Sequence, residues 1–62
     1  MNIVDVKLAV ECEMVHRQAM EYWREGSPVK IWRDRNGVLC IEYESGRWWH
    51  YRRAESGKIE WW

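Results

Sequence analysis

The chain contains no phenylalanine, one proline and two cysteines, and its ten basic side chains are balanced by ten acidic ones. Each shortage closes off a class of protein. Cys12 and Cys40 are too few for the disulfide framework that small secreted domains use in place of a large core. They are also not spaced as C-x-x-C, so the usual zinc modules are absent. A net charge of zero lacks the basic excess that marks most nucleic-acid binders. No apolar run approaches the length of a membrane span. The opening stretch MNIVDVKLAVECEM has no basic n-region and carries Asp5, Glu11 and Glu13, which makes it a poor secretory signal. These features together lead to the expectation of a reduced, intracellular, cytoplasmic protein with no membrane association.

What the chain has instead is aromatic mass: six Trp and three Tyr in 62 residues. A domain of this size buries only roughly 60% of its unfolded surface, and each buried aromatic ring removes roughly 150–250 Å² from water. Charge is unevenly placed. Residues 1–25 carry three basic and five acidic groups, and residues 26–62 carry seven and five. The tilt is too mild to be a phosphate footprint.

One turn is written three times: Asp34-Arg35-Asn36-Gly37, Tyr43-Glu44-Ser45-Gly46 and Ala54-Glu55-Ser56-Gly57. Glycine in the same slot, between β-branched and aromatic residues, predicts hairpins closed by a type I turn with the glycine in the left-handed region. The strands follow at about 28–34, 38–43, 47–53 and 58–62. Upstream, Asp5 is placed to cap a helix over about 6–24, stopped by Gly26 and Pro28. Val4, Leu8, Cys12, Val15, Ala19 and Tyr22 form its apolar stripe, with Trp23 at the edge. Partial alternation over residues 4–10 makes a short strand the rival reading there. The predicted fold is α+β: one N-terminal helix packed on a four-stranded antiparallel β-meander, a single domain over residues 1–62.

The three turns set one register. Val29, Ile31, Leu39, Ile41, Tyr43, Trp49, Tyr51, Ile59 and Trp61 share a face, to be covered by the helix. A one-residue slip in any hairpin would scatter this set. The opposite face holds Lys30, Trp32, Cys40, Glu42, Trp48, His50, Arg52, Glu60 and Trp62. Lys30 falls opposite Glu42 and Arg52 opposite Glu60, as expected of a face that meets water.

Chemistry is sparse. A Cys12, His16, Cys40, His50 zinc site would need four ligands at one point, and the register puts the last two on the sheet face away from the helix. The expectation is therefore no metal and no cofactor, with Cys12 in the core and His16 at the surface. Cys40 beside His50 has no pocket, oxyanion donor or orienting group around it, and the carboxylates are scattered, so no catalytic residue is assigned and the chain reads as a non-enzyme. The glycines serve turns and a helix end and do not form a phosphate loop.

The outer aromatics are the remaining signal. Trp32, Trp48 and Trp62, with Lys30, His50 and Arg52, match the composition of a protein-interaction hot spot. The leading reading is a small interaction module, an adaptor or inhibitor, whose partner is a protein. The same residues could stack and neutralise a single-stranded nucleic acid. A third reading is a purely structural, self-associating domain. For it, Val6, Val10 and Met14 form a second apolar helix face suited to a weak homodimer.

Overall fold

The computed structural model describes residues 2–62. Helix α1 (Ile3–Ala19) precedes four strands, β1 (Pro28–Arg33), β2 (Leu39–Tyr43), β3 (Trp48–Arg53) and β4 (Ile59–Trp61). The strands form one antiparallel sheet in the order β1-β2-β3-β4, the expected α+β meander. The repeated turn is built as its sequence implies. Gly37, Gly46 and Gly57 have φ of 78°, 89° and 91°. Each turn is closed by the same bonds: Gly37 N–H donates to Asp34 O at 2.9 Å and Asp34 N–H to Val38 O at 3.0 Å, repeated by Gly46 with Tyr43 and Arg47, and by Gly57 with Ala54 and Lys58.

The register is also as expected across both later hairpins. Ile41 faces Trp49, Leu39 faces Tyr51, Tyr51 faces Trp61 and Arg53 faces Ile59. The exception is Val29, expected on the inner face opposite Tyr43. Pro28 takes that place, and the strand bulges between Pro28 and Lys30. Glu44 N–H donates to Ser27 O and so fixes the chain just before Pro28. Proline has no N–H to give the ladder. Val29 becomes the extra residue of the bulge and is 59% exposed.

The helix is displaced from the expected 6–24. Asn2, not Asp5, is its N-cap: the Asn2 side chain accepts the Asp5 N–H at 2.9 Å. Asp5 sits in the first turn, where a carboxylate suits the helix dipole, and its own side chain accepts from Arg33 at 2.6 Å. The helix ends at Met20, whose N–H turns back to Arg17 O, well before Gly26. The early end frees Trp23 to fold over the end of the core. Its indole N–H donates to Gly26 O at 2.7 Å, and its ring packs edge-on against Tyr43 and His16.

The buried face of α1 is correspondingly rotated. Ala9, Cys12 and His16 are buried, with Leu8 and Val15 partly so, whereas Val4, Ala19 and Tyr22 of the expected stripe are exposed. His16, expected at the surface, has no exposed area. Its Nδ1 lies 2.7 Å from the Tyr51 hydroxyl, which lies 2.7 Å from that of Tyr43. Trp61 stacks on the imidazole, and Trp23 and Trp49 meet it edge to face. Nε2 has no hydrogen-bond partner among the described residues. With the proton on Nε2, Nδ1 is free to accept from the Tyr51 hydroxyl. Burial pushes Tyr43 up to about 12 and Tyr51 higher still, so both phenols stay protonated and able to donate.

Arginines tie the turns to the rest of the chain. Arg33 donates to Gly37 O and to Asp5. Arg53 does the same to Gly57 O and Glu11. Two turns at one end of the sheet are thus clamped to the helix by one device. At the other end the buried Glu25 accepts from the Ser45 hydroxyl at 2.6 Å and lies 3.6 Å from Arg47. Solvent-exposed ion pairs contribute roughly 0–1 kcal/mol each, so the Arg33 and Arg53 clamps fix orientation more than they add stability.

Two outcomes test this packing. Burial lowers the pKa of His16, against the opposing charge of Glu25. The unfolded imidazole titrates near about 6.5, so below that pH the unfolded chain binds the extra proton first. Stability is therefore full above about pH 6.5 and falls as the pH drops through the lowered folded value. The urea midpoint should decline between about pH 7.5 and about pH 5.5, and His16→Phe should flatten that decline. An unchanged slope in the variant would remove His16 as its source. Second, Gly26 has φ of 80°, and a Cβ there would lie 2.8 Å from Glu44 Oε1 and 2.9 Å from Glu44 Cβ. Gly37 has the same backbone conformation in open space. Gly37→Ala should cost about 1–2 kcal/mol, the left-handed penalty alone, and Gly26→Ala clearly more. Equal losses on chemical denaturation would mean that the Glu44 contact does not matter.

Candidate functional site

The outer face of the sheet collects the aromatic residues left over from the core. Alternation along β1 and β3 sends Trp32, Trp48 and His50 outward, and Trp62 continues the row beyond β4. Trp62 is not a loose end: it exchanges two backbone hydrogen bonds with His50, at 3.0 and 3.2 Å. The rings form one continuous series. Trp32 and Trp48 lie 5.4 Å apart, Trp48 and His50 5.0 Å, and His50 stacks on Trp62 at 5.1 Å with 6° between planes. A cation closes each end. Lys30 Nζ is 5.1 Å from the Trp32 ring centre and Arg52 Cζ is 5.3 Å from that of Trp62. The structure therefore brings together Lys30, Trp32, Trp48, His50, Arg52 and Trp62.

One of the two cations of this face is already paired with a carboxylate. Arg52 donates to Glu60 at 2.9 Å, and Lys30 stands across from Glu42 in the register. Trp48 and Trp62 are about half exposed, at 49% and 51%, while Trp32 is partly covered. The face thus offers aromatic area with one cation, Arg52, engaged by a carboxylate and the other, Lys30, held over the Trp32 ring. An open depression beside the third turn, lined by Arg52, Arg53, Ala54, Glu55 and Glu60, holds no nucleophile.

Cys40 departs from the expected picture. It lies on this outward face, between Trp32 and His50 in the cross-strand row, yet has no exposed area. Its thiol makes only a long contact to Val38 O, at 3.6 Å. Burial, and then the charge of Asp34, push its pKa up, the opposite of what a thiolate nucleophile needs. Cys12, in the core, is pushed up to about 11 by burial first and Glu11 second. The four Cys and His side chains do not meet: Cys12 and His16 lie in the core beneath the sheet, and Cys40 and His50 on its other side.

Sequence reasoning missed Asp34. It follows Trp32 by two residues, so strand alternation carries it to the same face. Its carboxylate lies with the Cys40 and His50 side chains in a group whose nearest ligand atoms are all within 4.8 Å of one another. On the helix, Val6, Val10 and Met14 are exposed, at 39%, 53% and 54%, on the side away from the sheet. No helix is long and apolar enough to cross a membrane among the described residues.

The chain matches no protein-family model, and neither a curated protein nor a solved structure is significantly similar to it. Function has to be argued from the site itself.

The two faces separate on substitution. Trp49 packs against the core with Tyr43 and His16, so Trp49→Ala should cost about 3 kcal/mol or more. Trp48→Ala removes a half-exposed ring and should cost about 1 kcal/mol or less. Denaturant unfolding of both variants measures the difference. A larger loss at Trp48 would mean that the outer row, not the inner face, holds the fold.

Proposed function

We propose that this chain is a non-enzymatic protein-interaction module, of adaptor or inhibitor type, which engages a protein partner through the outer row Trp32, Trp48, His50 and Trp62 and its flanking Lys30 and Arg52. The observation that carries this reading is the order of the row together with the engagement of Arg52 by Glu60. Rings already held by stacking and cation–π contact lose little freedom on docking, and that economy raises affinity. Trp and Arg are the residue types that dominate interface energetics. The Arg52–Glu60 pair argues against the alternative. A single-stranded nucleic acid would have to break it to gain a phosphate contact, and phosphate neutralisation is where such proteins obtain much of their affinity.

The test has two arms. Host proteins retained by the immobilised chain are purified, and the affinity of each is measured with the parent and with Trp48→Ala at low and high salt. A labelled oligothymidylate is titrated in parallel. The expected result is one protein partner whose binding is nearly flat in salt and weakens about thirtyfold in Trp48→Ala, the loss of a hot spot of about 2 kcal/mol. Tight oligonucleotide binding with a steep log–log salt slope would overturn the reading in favour of nucleic acid. A stable dimer in sedimentation, with no other ligand, would overturn it in favour of self-association.

A further inference from the structure

The group formed by Asp34, Cys40 and His50 has more order than three neighbouring side chains require. The Asp34 carboxylate is held by its turn: Oδ1 accepts the N–H of Asn36 at 2.8 Å and of Val38 at 3.0 Å. That leaves Oδ2 directed at His50, 3.8 Å from Nε2. The imidazole is held from its other side, with Nδ1 3.3 Å from Trp62 O. A carbonyl oxygen can only accept, so Nδ1 carries the proton and the Nε2 lone pair is left for the side facing Asp34. A backbone acceptor on the far ring nitrogen is the usual way a metal-binding histidine is fixed in the correct tautomer. Stacking on Trp62, 6° from coplanar, fixes the ring plane as well. Cys40 lies behind these two side chains, fully covered.

We infer that Asp34 Oδ2, Cys40 Sγ and His50 Nε2 form a binding site for a divalent transition-metal ion, with zinc the best match. The donor set is one thiolate, one imidazole and one carboxylate, each a common zinc ligand, at bond lengths of about 2.3, 2.0–2.1 and 2.0–2.2 Å. Donors around a tetrahedral zinc stand roughly 3.3–3.7 Å apart on those lengths. The His50–Asp34 separation of 3.8 Å is close to that already. With every pair inside 4.8 Å, side-chain rotation of about 1 Å closes the rest. Three protein ligands leave the fourth position to water on the solvent side, between the partly exposed Asp34 and His50.

The charge balance is favourable. The bound ion's two positive charges meet one thiolate and one carboxylate, so the site is neutral when filled. The Cys40 thiol gives up its proton to solvent as the sulfur–metal bond forms, and Nε2 binds without losing one. A calcium or magnesium ion would not suit this set, because hard cations take oxygen donors. Nothing in the argument depends on the face docking a protein.

The test uses reduced, metal-free protein and cobalt(II) as the spectroscopic probe. Titration should give one equivalent of cobalt with four-coordinate visible bands and a near-ultraviolet thiolate-to-cobalt charge-transfer band, all displaced by zinc. Cys40→Ser should abolish the charge-transfer band and Cys12→Ala should leave it. His50→Gln and Asp34→Asn should each weaken cobalt affinity at least tenfold while keeping the parent circular dichroism. Those two positions are partly exposed, so they decide the matter even if either cysteine variant fails to fold. The assignment is wrong if no thiolate band appears in large cobalt excess, if Cys12→Ala removes the band, or if either His50→Gln or Asp34→Asn binds cobalt as the parent does.

Discussion

The contact on which this structure depends is the hydrogen bond between His16 and Tyr51. A fully buried imidazole is a costly object to put in an apolar core. Here one nitrogen is satisfied by the Tyr51 hydroxyl and the ring is enclosed by Trp23, Trp49 and Trp61. Helix and sheet share little apolar area in a domain of this size, so a directional bond does what bulk burial does in larger proteins. It fixes the rotation of the helix. Turning α1 far enough to bury Val4 and Ala19 would carry His16 away from Tyr51 and leave a polar chain of Tyr43 and Tyr51 buried without its third member. The cost of that orphaning, about 1–3 kcal/mol for a buried polar group, is large against the stability of so short a chain.

The same contact explains where sequence reasoning failed. The sheet was legible because its rules are local: a glycine in the left-handed region ends each hairpin, and alternation does the rest. The register of Ile41 with Trp49 and of Tyr51 with Trp61 follows from turn chemistry alone. The helix was less legible because its facing is decided by partners far away in sequence. An apolarity stripe favours Val4 over Asp5 and treats His16 as surface. The structure reverses both, because Asp5 has Arg33 and His16 has Tyr51. The start was nonetheless written locally. Asn2 and Asp5 are spaced as a cap and an acidic third residue, so the true cap lies three positions before the expected one. The end was not, since Met20 to Glu25 leave the helix to place Trp23 over His16 and Glu25 beneath Ser45.

Strand parity places the expected residues on the outer face but does not give their arrangement. Strand parity identifies Trp32, Trp48 and His50 from the register, but not that Trp62 would be locked to His50 by two backbone bonds. Parity also put Cys40 among solvent-facing residues, and its burial arises from the large rings on either side. In the sequence Asp34 reads only as part of a turn. A turn aspartate that spends one oxygen on backbone N–H groups keeps a second, and strand parity places it on the same face as Cys40 on the next strand and His50 on the one beyond.

The two faces of this sheet solve opposite problems with the same residue types. Inside, His16 sits among Trp rings because a tyrosine holds it and its exclusion from water locks the helix. Outside, His50 sits among Trp rings with its far nitrogen turned to a backbone carbonyl and its near one toward an acid and a thiol. The difference lies in what remains unspent. The inner histidine uses its one strong hydrogen bond on the fold and has no solvent access, so any change in it is a change in stability. The outer one is held by backbone and stacking alone, which leaves a lone pair, a carboxylate oxygen and half-exposed indoles that the fold does not consume. On the proposed reading, stability and binding are thereby assigned to opposite sides of a single layer of strands. That separation is what permits an aromatic surface to be ordered before any partner or ion arrives.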